Sequence, residues 1–425
     1  MSLIRNGSGR LIQNRAGNPG NFECVVAIWV PNYPGPPKGP YLTHYYRDNG
    51  NGENWVAGEI IDSDAASSGS LIQSTFGSNP TRGVLETLVL EGASIIHYFE
   101  TSSGFLQGGS FSTTAVGSPS FIQGNLGQAG SNGNFEAVVL EEGGLWHYWR
   151  DNSSAPLGGT TGGPYPWTRT DLISSAATGP GTIIQSNLGT GPGNFEVLVP
   201  ETDGNIRHHW RDNSTTPYKW NQGEIVGPGY GQPGLIQNVN GNLEAVVLQN
   251  TGSPQATLRH YYRESSDFSK WLSDPVNDVI TTIATGSGSL IQSTYNDNPP
   301  TTGGNLEVVV MEYHPDARGL GSKLTHYWQD RSQNPYTWKA STQVVPQVSS
   351  SFSFFPPLGL CRYPILERDI LLPEGRIPFR LLCLTHLENK MILCRAMANW
   401  RRQVCCGLRC LEFSSTGLRN RGFNV

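Results

Sequence analysis

Hydrophobic and polar positions along this chain fall into one pattern that recurs six times. Its clearest copy, at 133–152, reads G-N-F-E-A-V-V-L-E-E-G-G-L-W-H-Y-W-R-D-N, two alternating apolar runs parted by an acidic, glycine-containing turn. That arrangement predicts a β-hairpin. It returns at 20–49, 83–101, 193–213, 241–264 and 304–330. A short apolar run ending in glutamine precedes each copy and places Gln13, Gln73, Gln123, Gln185, Gln237 and Gln292 at steps of 60, 50, 62, 52 and 55 residues. A run led by Trp55, Trp167, Trp220, Trp271 or Trp338 follows; the second copy has Gly104-Phe105-Leu106 instead. Each unit is therefore four short strands, A to D.

Six such units predict an all-β chain, a six-bladed β-propeller of four-stranded antiparallel blades with a non-repeat C-terminal tail. One blade alone has two faces to bury, and a closed ring covers them. The expected propeller is 1–346, with blades at about 1–60, 61–112, 113–173, 174–226, 227–280 and 281–346. The tail, 347–425, is Leu-, Cys- and Arg-rich and carries no repeat. It is expected to be irregular or partly helical, with a helix over 382–402, and its composition fits a gene-model artefact.

Composition agrees with a turn-rich ring: 51 Gly, 29 Pro and only 15% charged residues. Charge is uneven. Eleven basic and five acidic residues give the tail +6, which leaves −11 on the propeller of a chain whose total is −5. A mildly acidic ring is a poor match for nucleic acid. No apolar run reaches the length needed to span a bilayer, and the first residues hold no signal-peptide core. The expected location is cytoplasmic, unless the N-terminus is incomplete. Six of seven Cys lie in the tail without paired C-x-x-C spacing, and Cys24 is alone in the ring, so neither disulfide staples nor a zinc site is expected. No P-loop, dinucleotide fingerprint, H-E-x-x-H, calcium loop or G-x-S-x-G elbow occurs. No cofactor and no metal are expected.

Strand B carries a glutamate in every unit (Glu23, Glu86, Glu136, Glu196, Glu244, Glu307) and strand C a histidine (His44, His97, His147, His208, His260, His326). Six copies of one pair read as a structural hydrogen bond propagated by duplication, not as six catalytic centres. Arg47, Arg150, Arg211 and Arg263 follow the same logic, and the Asp-Asn pairs after the first three read as turn residues. The six Gln, on the innermost strand, form a polar collar on the channel that either meets solvent or hydrogen-bonds a ligand. Blade 2 is degenerate: Glu100-Thr101-Ser102 stands where blades 1, 3 and 4 have Arg-Asp-Asn. The B–C connections of blades 1, 5 and 6 are long, and they crowd one sector of one channel mouth. Tyr33, Lys38, Tyr41, Tyr313, His314 and Arg318 are the loop residues placed to overhang it.

The G-N-[FL]-E-[AV]-[VL]-V … L-x-H-Y-W-R-D unit followed by Trp resembles the repeats of bacterial and fungal propeller lectins, across residues 11–345. That resemblance implies a ring binding glycans between blades. In length, six blades and cofactor-free appearance the chain also looks like fungal propeller cyclases of the hetero-Diels–Alderase class, from tropolone–sesquiterpenoid pathways. That resemblance implies one pocket joining a quinone-methide-like diene to a terpenoid or polyketide partner, without cofactor. His314, Arg318, Lys38 and Tyr313 would then act as donors to the reacting oxygen, with Tyr33, Tyr41 and the six Gln in substrate binding. The inequality of the blades favours the single cyclase pocket; a lectin with sites between blades is the alternative.

Overall fold

The structure is a computed structural model. It describes residues 9–15, 20–28, 40–51, 54–75, 83–127, 133–152, 166–250, 255–295, 304–314, 322–331, 336–348, 382–387, 390–396, 408–414 and 417–419. Blade 1 is β1 (Arg10–Gln13), β2 (Phe22–Ile28), β3 (Tyr41–Arg47) and β4 (Trp55–Asp62). Blade 2 is β5 (Ser70–Ser74), β6 (Val84–Glu91), β7 (Ser94–Thr101) and β8 (Gly104–Phe111). Blade 3 is β9 (Ser120–Gln123), β10 (Phe135–Glu141), β11 (Gly144–Arg150) and β12 (Thr168–Ser174). Blade 4 is β13 (Thr182–Gln185), β14 (Phe195–Pro200), β15 (Asn205–Arg211) and β16 (Trp220–Pro228). These are four separate antiparallel sheets in simple sequential order.

Blades 5 and 6 are built from β17 (Tyr230–Gln237), β18 (Leu243–Asn250), β19 (Ala256–Arg263), β20 (Val279–Gln292), β21 (Leu306–Tyr313), β22 (Ser322–Gln329) and β23 (Trp338–Val348). They share one seven-stranded sheet. The cause is β20, whose first half pairs with β19 as strand D of blade 5 and whose second half pairs with β21 as strand A of blade 6. Trp271 lies ahead of that strand, on a segment held by a bridge between Tyr262 and Leu272. The sequence pattern places this Trp on strand D itself, and the structure moves it off.

The ring is a six-bladed β-propeller. Strand B is buried along its whole length in blades 1, 3 and 4, because a neighbouring blade covers each face; hence its near-continuous apolar run. Strand D is the outer edge and is largely exposed in blade 1. Six apolar clusters lie between successive blades, and the one that closes the circle joins Leu11, Phe22 and Val26 of blade 1 to Val309, Met311 and Leu324 of blade 6. No strand is exchanged at that junction; side chains and a bond from the Leu11 amide to Ser289 Oγ (3.0 Å) close it.

The glycine that opens each hairpin has a specific task. Gly193 sits at φ +81, and a Cβ there would lie 1.8 Å from the Ser186 carbonyl oxygen; Gly133 and Gly304 meet the same obstacle at 1.8 and 1.7 Å. The carbonyl of that glycine is in turn held from strand C: Asn49, Asn152 and Asn213 donate to Gly20, Gly133 and Gly193. Each Asn also accepts from the Nε of its own arginine, Arg47, Arg150 or Arg211, at 2.7–3.0 Å. The Asn is thus a latch between the two ends of the hairpin, not a turn residue; the preceding Asp48 and Asp212 do cap turns. Gly193→Ala is expected to destabilise the ring by roughly 1–3 kcal/mol from backbone conformation alone, and by more from the clash. Gly204→Ala, at the same φ but with nothing within 4 Å, should cost only that backbone part, roughly 1–3 kcal/mol. Urea midpoints of the two variants check the contrast.

Residues 352–425 form a second compact unit. Its described part is an antiparallel sheet of β24 (Leu382–Leu387), β25 (Lys390–Ala396), β26 (Leu408–Ser414) and β27 (Gly417–Arg419). The helix expected over 382–402 is therefore replaced by two strands. Cys383, Cys394 and Cys410 occupy facing register positions on three adjoining strands.

Candidate functional site

The six collar glutamines are bonded into the ring. Each carboxamide oxygen accepts from a backbone amide of the preceding blade: Gln73 from Arg15, Gln123 from Thr75, Gln185 from Asn125, Gln237 from Asn187, Gln292 from Val239, and Gln13 from Thr294, all at 2.7–3.0 Å. The last bond closes the circle. Several carboxamide nitrogens are also used, Gln13 toward Gly20, Gln185 toward Pro192 and Gln237 toward Gly241. The collar is therefore a belt that fastens blade to blade. A cavity of about 430 Å³ does open there, against Gln13, Gln237, Gln292 and their neighbouring Ile12, Ile236 and Ile291. Its polar wall is largely committed to the belt.

The glutamate–histidine pairs form in every blade, at 2.7 or 2.8 Å. The register explains them. Leu88 faces His97 across β6 and β7, so Glu86, two residues earlier on the same face, is the diagonal neighbour. In four blades the other imidazole nitrogen is occupied as well. Nδ1 of His97 and His208 accepts from Arg150 and Arg263 of the next blade, both at 3.3 Å. Nδ1 of His147 meets Thr170 at 2.8 Å, and Nδ1 of His260 meets Asp278 at 2.9 Å. These four imidazoles have no lone pair or proton to offer a substrate. Burial, with Arg150 beside it, lowers the His97 pKa. His260 lies between two carboxylates; burial opposes its charge, but Asp278 and Glu244 raise its pKa to about 9.

The strand-D aromatics complete each boundary. Trp55, Trp220, Trp271 and Trp338 lie edge-on to the histidine of the preceding blade, at 5.7–6.1 Å. Arginine guanidinium groups lie over Phe22, Phe135 and Phe195 at 4.3–4.5 Å. Boundaries built this way are packed struts.

At the boundary of blades 1 and 2, Phe105 takes the Trp place, edge-on to His44 at 6.1 Å. One boundary differs further. Between blades 2 and 3 a cavity of about 430 Å³ opens. The strand-D segment Gly108-Gly109-Ser110 forms one wall, and a Cβ at Gly109 would meet nothing within 4 Å. The other walls are aromatic and basic. Trp167 stacks on Phe111 at 4.4 Å and 19°. Arg150 reaches in from the buried side, and Arg169, its head partly exposed, lies 3.5 Å from the Trp146 ring centroid. Behind the wall, buried Glu141 accepts from Tyr148 and Ser112, both at 2.5 Å, and pairs with Arg169 at 2.9 Å. Burial and that carboxylate push the Tyr148 hydroxyl up to about 12. Ser112, on the rim, has φ +54, and is the one non-glycine residue with positive φ among those described. A residue held in this region costs about 1 kcal/mol or more, and such residues gather at binding sites.

Sequence reasoning marks blade 2 as degenerate but misses this opening. The signal was the Gly108-Gly109 pair on strand D; the lost Trp faces blade 1 instead, where Phe105 lies edge-on to His44 at 6.1 Å. The loop residues are distributed otherwise than expected. Tyr33, Lys38 and Arg318 lie outside the described residues. Tyr41 is only 5% exposed and belongs to the blade packing, which removes it from the channel mouth. Tyr313 and His314 are half-buried at the end of β21. Gln292 pairs with Leu306 at the other end of that strand, about 23 Å away at the rise of a β-strand. The Gln292 position of the collar and the pair Tyr313 and His314 thus lie at opposite ends of blade 6 and do not form one site. Among the described residues no group of three or more His, Cys, Asp or Glu side chains is arranged to hold a metal ion.

A scan against protein-family models finds no match, and a search of curated proteins finds no relative. Among solved structures, a mutant form of the Arthrobotrys oligospora protein AofleA aligns at 10% identity over 79% of this chain and 85% of its own, with a TM-score of 0.49. The Aleuria aurantia lectin, in complex with alpha-methyl-L-fucoside, aligns at 12% identity over 80% and 96%, TM-score 0.49. The BP39L lectin of Burkholderia pseudomallei aligns at 12% identity over 99% of both chains, TM-score 0.47. Likenesses of this strength do not bear on function.

Proposed function

We propose that this propeller is a carbohydrate-binding protein whose site lies between blades 2 and 3. The observation that carries the reading is the cavity of about 430 Å³ at that boundary, walled by Trp167, Phe111, Arg150, Arg169 and serine hydroxyls. That volume is within the range of small-molecule sites. A sugar presents an apolar C–H face and a rim of hydroxyls. Aromatic rings take the face, and guanidinium and hydroxyl groups take the rim. The glutamate–histidine pair nearest the cavity has both ring nitrogens engaged, so binding without turnover is the chemistry these residues support. Glutamate–histidine–tryptophan struts fill the boundaries on either side of blade 4 and at blades 5–6 and 6–1, and Phe105 on His44 fills the boundary of blades 1 and 2, so one site per chain is expected.

Gly109→Leu tests this. It adds a side chain to open space and is expected to abolish glycan binding on an array and in calorimetry while leaving the melting temperature within a few degrees. A wild-type stoichiometry near one is expected. Binding that survives the substitution, or no glycan binding at all, overturns the proposal.

A further inference from the structure

We infer that the blade 2–3 cavity takes a sugar bearing an anionic group, a carboxylate or a sulfate. This inference rests on the glycan reading and narrows it. Two guanidinium groups, Arg150 and Arg169, line one cavity, and no acidic residue lines it. The propeller around them carries −11, so this cationic wall stands against the sign of the ring. The two cations differ in depth. Arg150 is 4% exposed and is fixed by Asn152 at 3.0 Å and by His97 at 3.3 Å. Its orientation is set before any ligand arrives. Arg169 has a side chain 44% exposed and is steadied by Glu141 on one side and the Trp146 ring on the other.

A planar, preoriented guanidinium matches a carboxylate or sulfate, and in a half-buried site such a charge-assisted bond outweighs a neutral one. Trp167, stacked on Phe111, leaves an apolar wall beside the two cations. An anion alone would not use that wall, and a neutral sugar would leave the second cation unused. A sugar ring with an acidic substituent uses both.

The test is calorimetric titration of the full chain with glucose, galactose and mannose, their uronic acids and their 6-sulfates, at low and high salt. At least one anionic series should bind about tenfold or more tightly than its neutral parent, and the preference should shrink as salt rises. Whether carboxylate or sulfate binds more tightly identifies the group. Arg169→Gln should erase most of the ratio of anionic to neutral affinity, and Gly109→Leu should abolish binding of both classes. Equal affinities for neutral and acidic sugars, both lost in Gly109→Leu, overturn the charge inference and leave the glycan site standing. Failure of every sugar to bind, or binding indifferent to Gly109→Leu, overturns the glycan reading itself.

Discussion

Glu196→Ala is expected to lower the unfolding free energy by about 2–6 kcal/mol, since it leaves two buried donors unsatisfied at about 1–3 kcal/mol each. Glu196 is 1% exposed. One carboxylate oxygen accepts from His208 Nε2 at 2.7 Å and the other from Ser186 at 2.8 Å. Removing it strands two buried donors. It also takes a carboxylate from the neighbourhood of the buried Arg263 guanidinium, whose pKa burial already lowers and Glu196 helps to hold up. Ser186→Ala, which removes one neutral donor, should cost only about 1 kcal/mol. Glu23→Ala should also be milder. Its partner His44 has a side chain 12% exposed, and Glu100 stands at the neighbouring position where other blades carry arginine. Urea unfolding with unchanged m-values gives the three numbers. A loss below about 1 kcal/mol for Glu196→Ala would show that the repeated pair is not the strut it is taken to be.

Much of this architecture is legible in the amino-acid order because the repeat reports the same solution six times. The alternation in 22–28 and 41–47 is enough to set two strands, and the Glu–His pair follows from the register those strands must adopt. The Gln positions are equally visible, but their task is not. Their partners are backbone amides fifty or more residues away, apart from the Gln123 bond at 48, and a backbone amide has no sequence signature. The Asn latch was hidden for a related reason: an Asp-Asn after a strand is ordinary turn composition until the Gly carbonyl opposite is seen. The blade 2–3 cavity went unseen because long insertions draw the eye to loops, whereas this opening arises where blade 2 carries Gly108-Gly109 and no side chain. In the tail, Leu382–Leu387 is a short apolar run, and length alone does not separate strand from helix there.

The second large effect is a pH dependence centred on blade 5. His260 donates to Glu244 at 2.7 Å and to Asp278 at 2.9 Å, so both ring nitrogens must carry protons, and its pKa rises from 6.5 to about 9. The folded state therefore holds this proton more tightly than the unfolded state. The resulting stability is complete below pH 6.5 and is lost as pH rises through 9. A shift of this size in a fully buried group corresponds to about 3 kcal/mol. His97 acts with the opposite sign. Its pKa is lowered, chiefly by burial, so the unfolded chain takes up that proton first, and stability is lost as pH falls below 6.5. The two histidines together place the maximum near neutrality. Asp278→Asn separates them, because it removes one of the two negative charges facing His260 and leaves His97 untouched. The variant should be less stable at about pH 6.5 and approach the wild type by about pH 9.5, so the difference between their urea midpoints should close across that interval. A difference that stays constant over the same interval would mean that His260 does not carry the buried charge. The His260 ring-proton titration by NMR reads the same quantity directly, with a midpoint near 9 expected in the wild type and a lower one in Asp278→Asn.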